Sequence, residues 1–272
     1  MNTSSSTKTN LTIRGAVTGN PFAGLGWATL IFILITVSVF SVLVKLGLWQ
    51  LERAQYKQAW EQTLLARQSQ PALSVEQLQN TIQALPNQDQ AASLTGYRLA
   101  ISASPVTNSI LLLDNQVFEG QVGYLVYQVF SIQPESTKIV VELGFIGADK
   151  DRRVLPQIPA IPAGDYTLIG RVYQKQANPL SEHLLAESGN PTRIQNLAMN
   201  ELAEHLGYPV LPVVLQPDNV PHSTLPQPWH PIPLSAQKHQ GYALQWFTMA
   251  AVFLGLMTWL AIKNWRQLTH KQ

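Results

Sequence analysis

Two long runs without a single Asp, Glu, Lys or Arg set the terms for this chain: Gly15 to Val44 and His239 to Ile262. Trp27 to Val44 alone supplies 18 largely apolar residues, which as a helix reach about 27 Å, close to a hydrocarbon core of roughly 30 Å. Starting at Pro21 lengthens the run. Gly241 to Ile262 adds 22 uncharged residues with Tyr and Trp toward the ends, where an aromatic belt would place them. Both runs are expected to span a membrane. The first is longer than the apolar core of about 7–15 residues in a cleaved signal, and it passes into Lys45-Leu46-Gly47 without a small-x-small cleavage site, so it reads as a signal anchor.

Charge gives the orientation. Residues 1 to 26 carry Lys8 and Arg14 and no acid, residues 263 to 272 carry Lys263, Arg266 and Lys271 and no acid, and all sixteen Asp and Glu lie from Glu52 to Asp218. Lys and Arg near membrane ends favour the cytoplasmic side. Both termini are therefore expected in the cytoplasm and the middle in the periplasm of a bacterial inner membrane, although Lys45, Arg53 and Lys57 behind the first span weaken the bias. The partition that follows is a tail over 1–20, a transmembrane helix over 21–45, an exported domain over 46–216, a Pro-rich connector over 217–238, a second transmembrane helix over 239–262 and a tail over 263–272. The absence of cysteine excludes disulfides, thiolate metal sites and thiol redox chemistry.

Helix one should continue outward, because Trp49, Arg53, Tyr56, Trp60 and Leu64 recur at three- and four-residue spacing on one face. A short helix is expected over Val75 to Leu85, with Ser74 and Gln77 in capping-box form and Pro86 closing it. From Gly96 the pattern turns to β-branched and aromatic runs: Tyr97–Ser102, Ser109–Leu113, Tyr124–Ile132, Lys138–Ile146 and Tyr166–Gln174. Asp114-Asn115 and Gly120 to Gly123 read as turns. A helix over Asn196 to Leu206, capped by Asn196 and closed by Gly207, precedes a last strand over Val210 to Gln216. Eight prolines between Pro209 and Pro233 predict a stiff connector from Pro217 to Ser235. The fold class expected is a membrane protein with two transmembrane α-helices flanking an exported α+β domain dominated by an antiparallel sheet or small barrel.

No phosphate loop, HExxH or G-x-S-x-G occurs, and no two of the six histidines stand at the i,i+3 or i,i+4 spacing of a helical metal site. The chain is not expected to be an enzyme. The distinctive strings sit at the two membrane junctions: Leu46-Gly47-Leu48-Trp49-Gln50-Leu51-Glu52-Arg53 with Lys57, and His239-Gln240-Gly241-Tyr242-Ala243-Leu244-Gln245-Trp246-Phe247. Together they resemble the surfeit locus protein 1 family of cytochrome oxidase assembly factors, whose junction motifs run approximately LGxWQxxR and HxxYAxxWF. The resemblance continues more loosely through Gly96-Tyr97, Leu112 to Asn115, Gly120, Gly123-Tyr124 and Gly170. It departs at Leu143-Gly144-Phe145, where the family usually has an Arg-Gly-Trp turn; retention of Gly144 implies that the turn survives.

The resemblance implies a role in building an aa-type heme-copper terminal oxidase at the stage where heme a reaches the catalytic subunit. Heme a, held transiently, is the implied cofactor. The implied partners are that subunit, heme a synthase and the lipid bilayer, with no nucleic acid. On a helix starting near His239, the residues His239, Tyr242, Ala243 and Trp246 would share a face. An imidazole can serve as an axial heme ligand, which makes His239 the candidate metal ligand. Trp49 and Trp246 would wall a groove for the porphyrin, and Arg53 or Lys57 would pair with a propionate. Each residue also has an ordinary reading: His239, Tyr242, Trp246 and Trp49 as interfacial anchors, Arg53 and Lys57 as solvated or headgroup contacts. Ala251 and Gly255 read as a small-xxx-small notch against span one. Two rival classes remain at this point. One is a membrane-anchored small-molecule-binding or sensory protein, although its short tails leave no room for an output domain. The other is a scaffold for an envelope polymer, which would call for heptad helices the sequence lacks.

Overall fold

The computed structural model describes residues 26–84, 94–135, 137–174, 182–228 and 235–269. The expected tail over 1–20, the closing Pro86 and His270 lie outside these residues. The chain divides after Arg53 and before Gln237: its two ends form one compact unit and Ala54–Ala236 forms the other.

The first unit holds two helices long and apolar enough to cross a membrane. They belong to α1 (Trp27–Gln68) and α4 (Ala236–Thr269). Hydroxyls within them bond to the helix's own backbone, Thr36 to the Phe32 carbonyl at 2.7 Å, Thr248 to Leu244 at 2.8 Å and Thr258 to Leu254 at 2.8 Å. In an apolar medium this removes the cost of an unpaired donor. As expected, α1 runs on well past its apolar part. Of the expected stripe, Leu64 is buried and Trp60 half-buried, but Tyr56 is exposed.

The second unit is built on one mixed sheet. After α2 (Val75–Ala84) come β1 (Arg98–Phe118), β2 (Gln121–Ile132), β3 (Lys138–Gly147), β4 (Tyr166–Tyr173), β5 (Thr192–Ile194), α3 (Met199–Leu206) and β6 (Val210–Pro217). The strand order is β2-β3-β6-β4-β1-β5, with β2 also paired to β1. Most neighbours are antiparallel, while β3–β6 and β1–β5 are parallel. The expected meander holds for β1, β2 and β3 only. The sheet is not a closed barrel: β1 is shared in sections, its first part paired to β4 and its later part to β2, with only Ala103 paired to both.

Alternation along the strands fills two layers. Leu112, Val126, Ile139, Val141, Val213 and Leu215 join a core on one face, with Leu78 of α2. Leu111, Leu113, Tyr127, Val140 and Val214 join the other, closed by Leu184, Leu197 and Leu202. Burial on both faces is why β2 and β3 read as nearly continuous apolar runs rather than alternating ones.

The α2 capping box forms as expected: the Gln77 N–H donates to Ser74 Oγ at 3.2 Å and the Ser74 N–H to Gln77 Oε1 at 2.9 Å. Elsewhere local expectations give way. Tyr97–Ser102 and Ser109–Leu113 merge into β1, and Asp114-Asn115 is a bulge inside it rather than a turn, with Asn115 at φ 56°. The buried Asp114 carboxylate fixes that bulge, accepting from the Arg152 guanidinium, the Asn115 N–H at 2.7 Å and Gln195 at 3.3 Å. The hairpin turn is Glu119-Gly120, both at positive φ, so it starts earlier than the Gly120–Gly123 expectation. Helix α3 starts after Ala198, and Asn196 instead turns its side chain to the Leu197 N–H at 2.8 Å. Gly207 closes α3 in the left-handed conformation, as expected.

Leu143-Gly144-Phe145 is not a turn. It lies within β3 at a bulge, where Val126 faces Gly144 and Tyr127 faces Glu142, so that Leu143 is the extra residue. The chain after β6 runs along the same edge: the Phe145 N–H donates to the Pro226 carbonyl at 2.7 Å and Ser223 Oγ to the Leu143 carbonyl at 3.2 Å. Val220 is buried and Leu225 packs on the core, so the first part of the expected connector belongs to the domain. Pro212 is tolerated in the central strand β6 because it falls in the irregular part of the β3 pairing and outside the β4 pairing.

Gly144 has φ 124°, and a Cβ there would come 2.7 Å from Leu225 Cβ and 2.8 Å from the Pro226 carbonyl, whereas Gly120 at φ 79° faces open space. Gly120→Ala should cost about 1–2 kcal/mol through backbone strain alone. Gly144→Ala should cost clearly more and lower the thermal midpoint further. Near-UV circular dichroism of both variants checks the order.

Candidate functional site

Within the first unit, α1 and α4 face each other along narrow stripes. On α4 the turned-in residues are His239, Ala243, Ala250 and, half-buried, Trp246, Phe247, Phe253 and Met257. On α1 Gly47 is buried and Phe32, Thr36, Phe40, Leu43 and Gln50 are half-buried along the same face, with Val44 and Leu46 half-buried at its margin. The spacing is that of one helix face. Gly47 admits the Phe247 ring: a Cβ there would lie 2.7 Å from Cε1 and 2.8 Å from Cζ of that ring. The expected notch at Ala251 and Gly255 is not used: both are exposed and a Cβ on Gly255 would touch nothing. The small residues that admit α1 are Ala243 and Ala250 on α4, with Gly47 opposite. Any notch read from α4 alone misses the larger ring that fills it.

One turn from Gly47 the same contact brings the two junction motifs together. His239, 8% exposed, places Nδ1 2.7 Å from Gln50 Oε1. An amide oxygen only accepts, so the proton of the neutral imidazole sits on Nδ1 and the lone pair on Nε2. Such a ring is prepared to ligate through Nε2, as metal-binding histidines are when a second group holds the other nitrogen.

Ala243 and His239 share the inward face, but Tyr242 is 44% exposed and stands off it. The wheel angle explains this, since three residues on a helix leave an offset of about 60° that the narrow interface does not cover. Trp246 is half-buried, and Trp49 is 47% exposed with the Arg53 guanidinium 6.0 Å above its ring. Lys57 lies in the other unit, where its Nζ is 6.0 Å from the Tyr56 ring. Gln50 is the member that sequence reasoning left without a role. Its signal was available: an amide inside an apolar and aromatic junction, three residues after the glycine and three before the arginine. Among the described residues no three His, Asp or Glu side chains gather as a metal cage would need. An axial heme site needs only one imidazole.

The second unit carries its own unusual group. Glu142, on β3, is 2% exposed and accepts from Gln216 Nε2 at 2.7 Å and from the Tyr127 hydroxyl at 3.2 Å. Burial pushes its carboxyl up to about 7, against those two hydrogen bonds and the charge of Arg171, all of which favour the ionised form. Burial and the Glu142 charge together push the Tyr127 hydroxyl well up, and Tyr173 is raised for the same two reasons.

The model of the SURF1 family matches residues 37–251, which includes both junctions and the whole sheet-bearing unit. No curated protein matches the chain.

Two outcomes are expected from this geometry. Gly47→Leu should drive the helices apart and lower the thermal midpoint of the detergent-purified protein, while Gly255→Leu leaves it unchanged. For Glu142, the folded value of about 7 lies above that of an unfolded carboxyl, so between roughly pH 4.5 and 7 the folded state holds more protons. Stability should therefore fall as pH rises through that window, by on the order of 3 kcal/mol in all. Glu142→Gln should flatten the profile and be more stable than the parent at pH 8, read from thermal midpoints between pH 5 and 8.

Proposed function

Because the chain belongs to the SURF1 family, known in general as cytochrome oxidase assembly factors, we propose that it acts by holding heme a and delivering it to the catalytic subunit of an aa-type heme-copper oxidase. It does so as a carrier rather than as an enzyme. The observation that carries this reading is the His239–Gln50 hydrogen bond at 2.7 Å, which leaves Nε2 as the lone-pair nitrogen of a junctional imidazole.

Heme a offers an iron that takes axial imidazole, an apolar plate and an anionic propionate edge. His239 supplies the imidazole. On this reading the exposed Trp49 and Tyr242 and the half-buried Trp246 supply aromatic surface, and Arg53, 6.0 Å from the Trp49 ring, supplies a cation for a propionate. Lys57 belongs to the other unit and is left out of this set. The donor set therefore fits the group. Holding it through one neutral nitrogen suits a carrier, since release then requires one bond to part. Heme a synthase is the source on this reading, and both termini are cytoplasmic with the sheet-bearing unit in the periplasm of the bacterial inner membrane. The acid-free basic tails support that orientation.

The test is an absorption spectrum of detergent-purified protein from cells that make heme a. A Soret band is expected, lost in His239→Ala and kept in His205→Ala, which removes an exposed imidazole on α3. A His239→Ala protein with an unaltered spectrum and normal oxidase assembly would overturn the assignment. For orientation, a reporter active only in the periplasm should work when fused at residue 190 and fail at residue 272; the reverse pattern would refute it.

A further inference from the structure

We infer that Gln50 is a positioning residue for His239: its side-chain oxygen selects the Nδ1–H tautomer, locks the ring, and so delivers the Nε2 lone pair to the iron. The inference rests on the preceding reading in one respect only, that His239 is a ligand; the tautomer itself is a property of the protein without heme.

Three observations carry it. The Nδ1 to Oε1 separation of 2.7 Å is short for a neutral pair, so the bond is well formed. Gln50 is half-buried and His239 buried, so water competes poorly for either partner. The backbone spacing that allows the bond is imposed independently by Gly47 against Phe247, one turn away on the same helix pair. An imidazole free in water prefers to carry its proton on Nε2, the nitrogen a metal would need. A fixed acceptor at Nδ1 reverses that preference and removes the need to move a proton before ligation. It also raises the electron density on Nε2, as carbonyl and carboxylate partners do for metal-binding histidines.

The experiment compares the parent with Gln50→Leu, which matches the side chain in bulk but cannot accept, and Gln50→Glu, which restores an acceptor. The first readout is the imidazole ¹⁵N spectrum of the full-length, heme-free protein in detergent micelles, with the His239 signals assigned by their loss in His239→Ala. The parent and Gln50→Glu should show Nδ1–H; Gln50→Leu should shift toward Nε2–H. The second readout is titration with heme a, where Gln50→Leu should bind on the order of tenfold more weakly and Gln50→Glu should recover most of the loss. A parent protein with Nε2–H, or a Gln50→Leu protein with unchanged tautomer and unchanged heme affinity, overturns the inference. Should no variant or parent bind heme while the tautomer shifts as stated, Gln50 positions His239 but the heme-carrier reading fails. Should Gln50→Leu not fold, the Gln50→Glu and parent spectra still decide, because both must show Nδ1–H.

Discussion

The absence of a side chain at Gly47 is the constraint on which the membrane unit depends. Lipid gives two apolar helices little reason to prefer each other over acyl chains, so association relies on close fit and on polar groups that satisfy one another. A Cβ at residue 47 would lie 2.7 Å from the Phe247 ring. With only hydrogen there, the ring seats against the α1 backbone and the axes come near enough for a Gln on one helix to reach a His on the other. The hydrogen bond is thus a consequence of a packing decision made one turn away. Its geometry explains why glycine, glutamine, histidine and phenylalanine cluster in two strings whose bonded members lie 189 residues apart in the chain.

The sheet-bearing unit rests on a different economy. Both faces are covered, so polar groups on the strands must find partners inside. Asp114 does so with Arg152, Gln195 and a backbone N–H, and its bulge is the result. Glu142 accepts from two neutral donors, Tyr127 and Gln216, with Arg171 near enough to be felt as charge. Neutral donors do not repay the removal of a carboxylate from water, which is why this group holds its proton toward neutral pH.

Much of this was legible in the sequence because it followed from periodicity and charge. The two charge-free runs, the continuation of α1, the Ser74–Gln77 box, the Gly207 stop and most strand positions depend on local patterns. The junction strings identified the family that the match over residues 37–251 then supplied. What failed depended on distant partners. Asp114-Asn115 has turn chemistry, but a strand on either side of β1 keeps it extended. Leu143-Gly144-Phe145 is expected as a turn only because the family resembled has one there and Gly144 is retained, yet the positive φ of Gly144 serves a bulge covered by Leu225 and Pro226. Ala251 and Gly255 satisfied a small-residue pattern on the wrong face of α4. Gln50 was overlooked because a lone amide carries no motif of its own; its meaning lies wholly in the residue it meets.

The strand order has a kinetic corollary. β6, the last strand to be synthesised, is inserted between β3 and β4 in the middle of the sheet, paired in parallel with one and antiparallel with the other. The earlier strands join without it as β3-β2-β1-β4, but until β6 is made the facing edges of β3 and β4 keep their backbone groups open to water. Both layers draw on β6 side chains, so they close only once nearly all of the domain has been made. By then α4 is the next segment to emerge, so anchoring at the second span and completion of the sheet fall within the same short interval of synthesis.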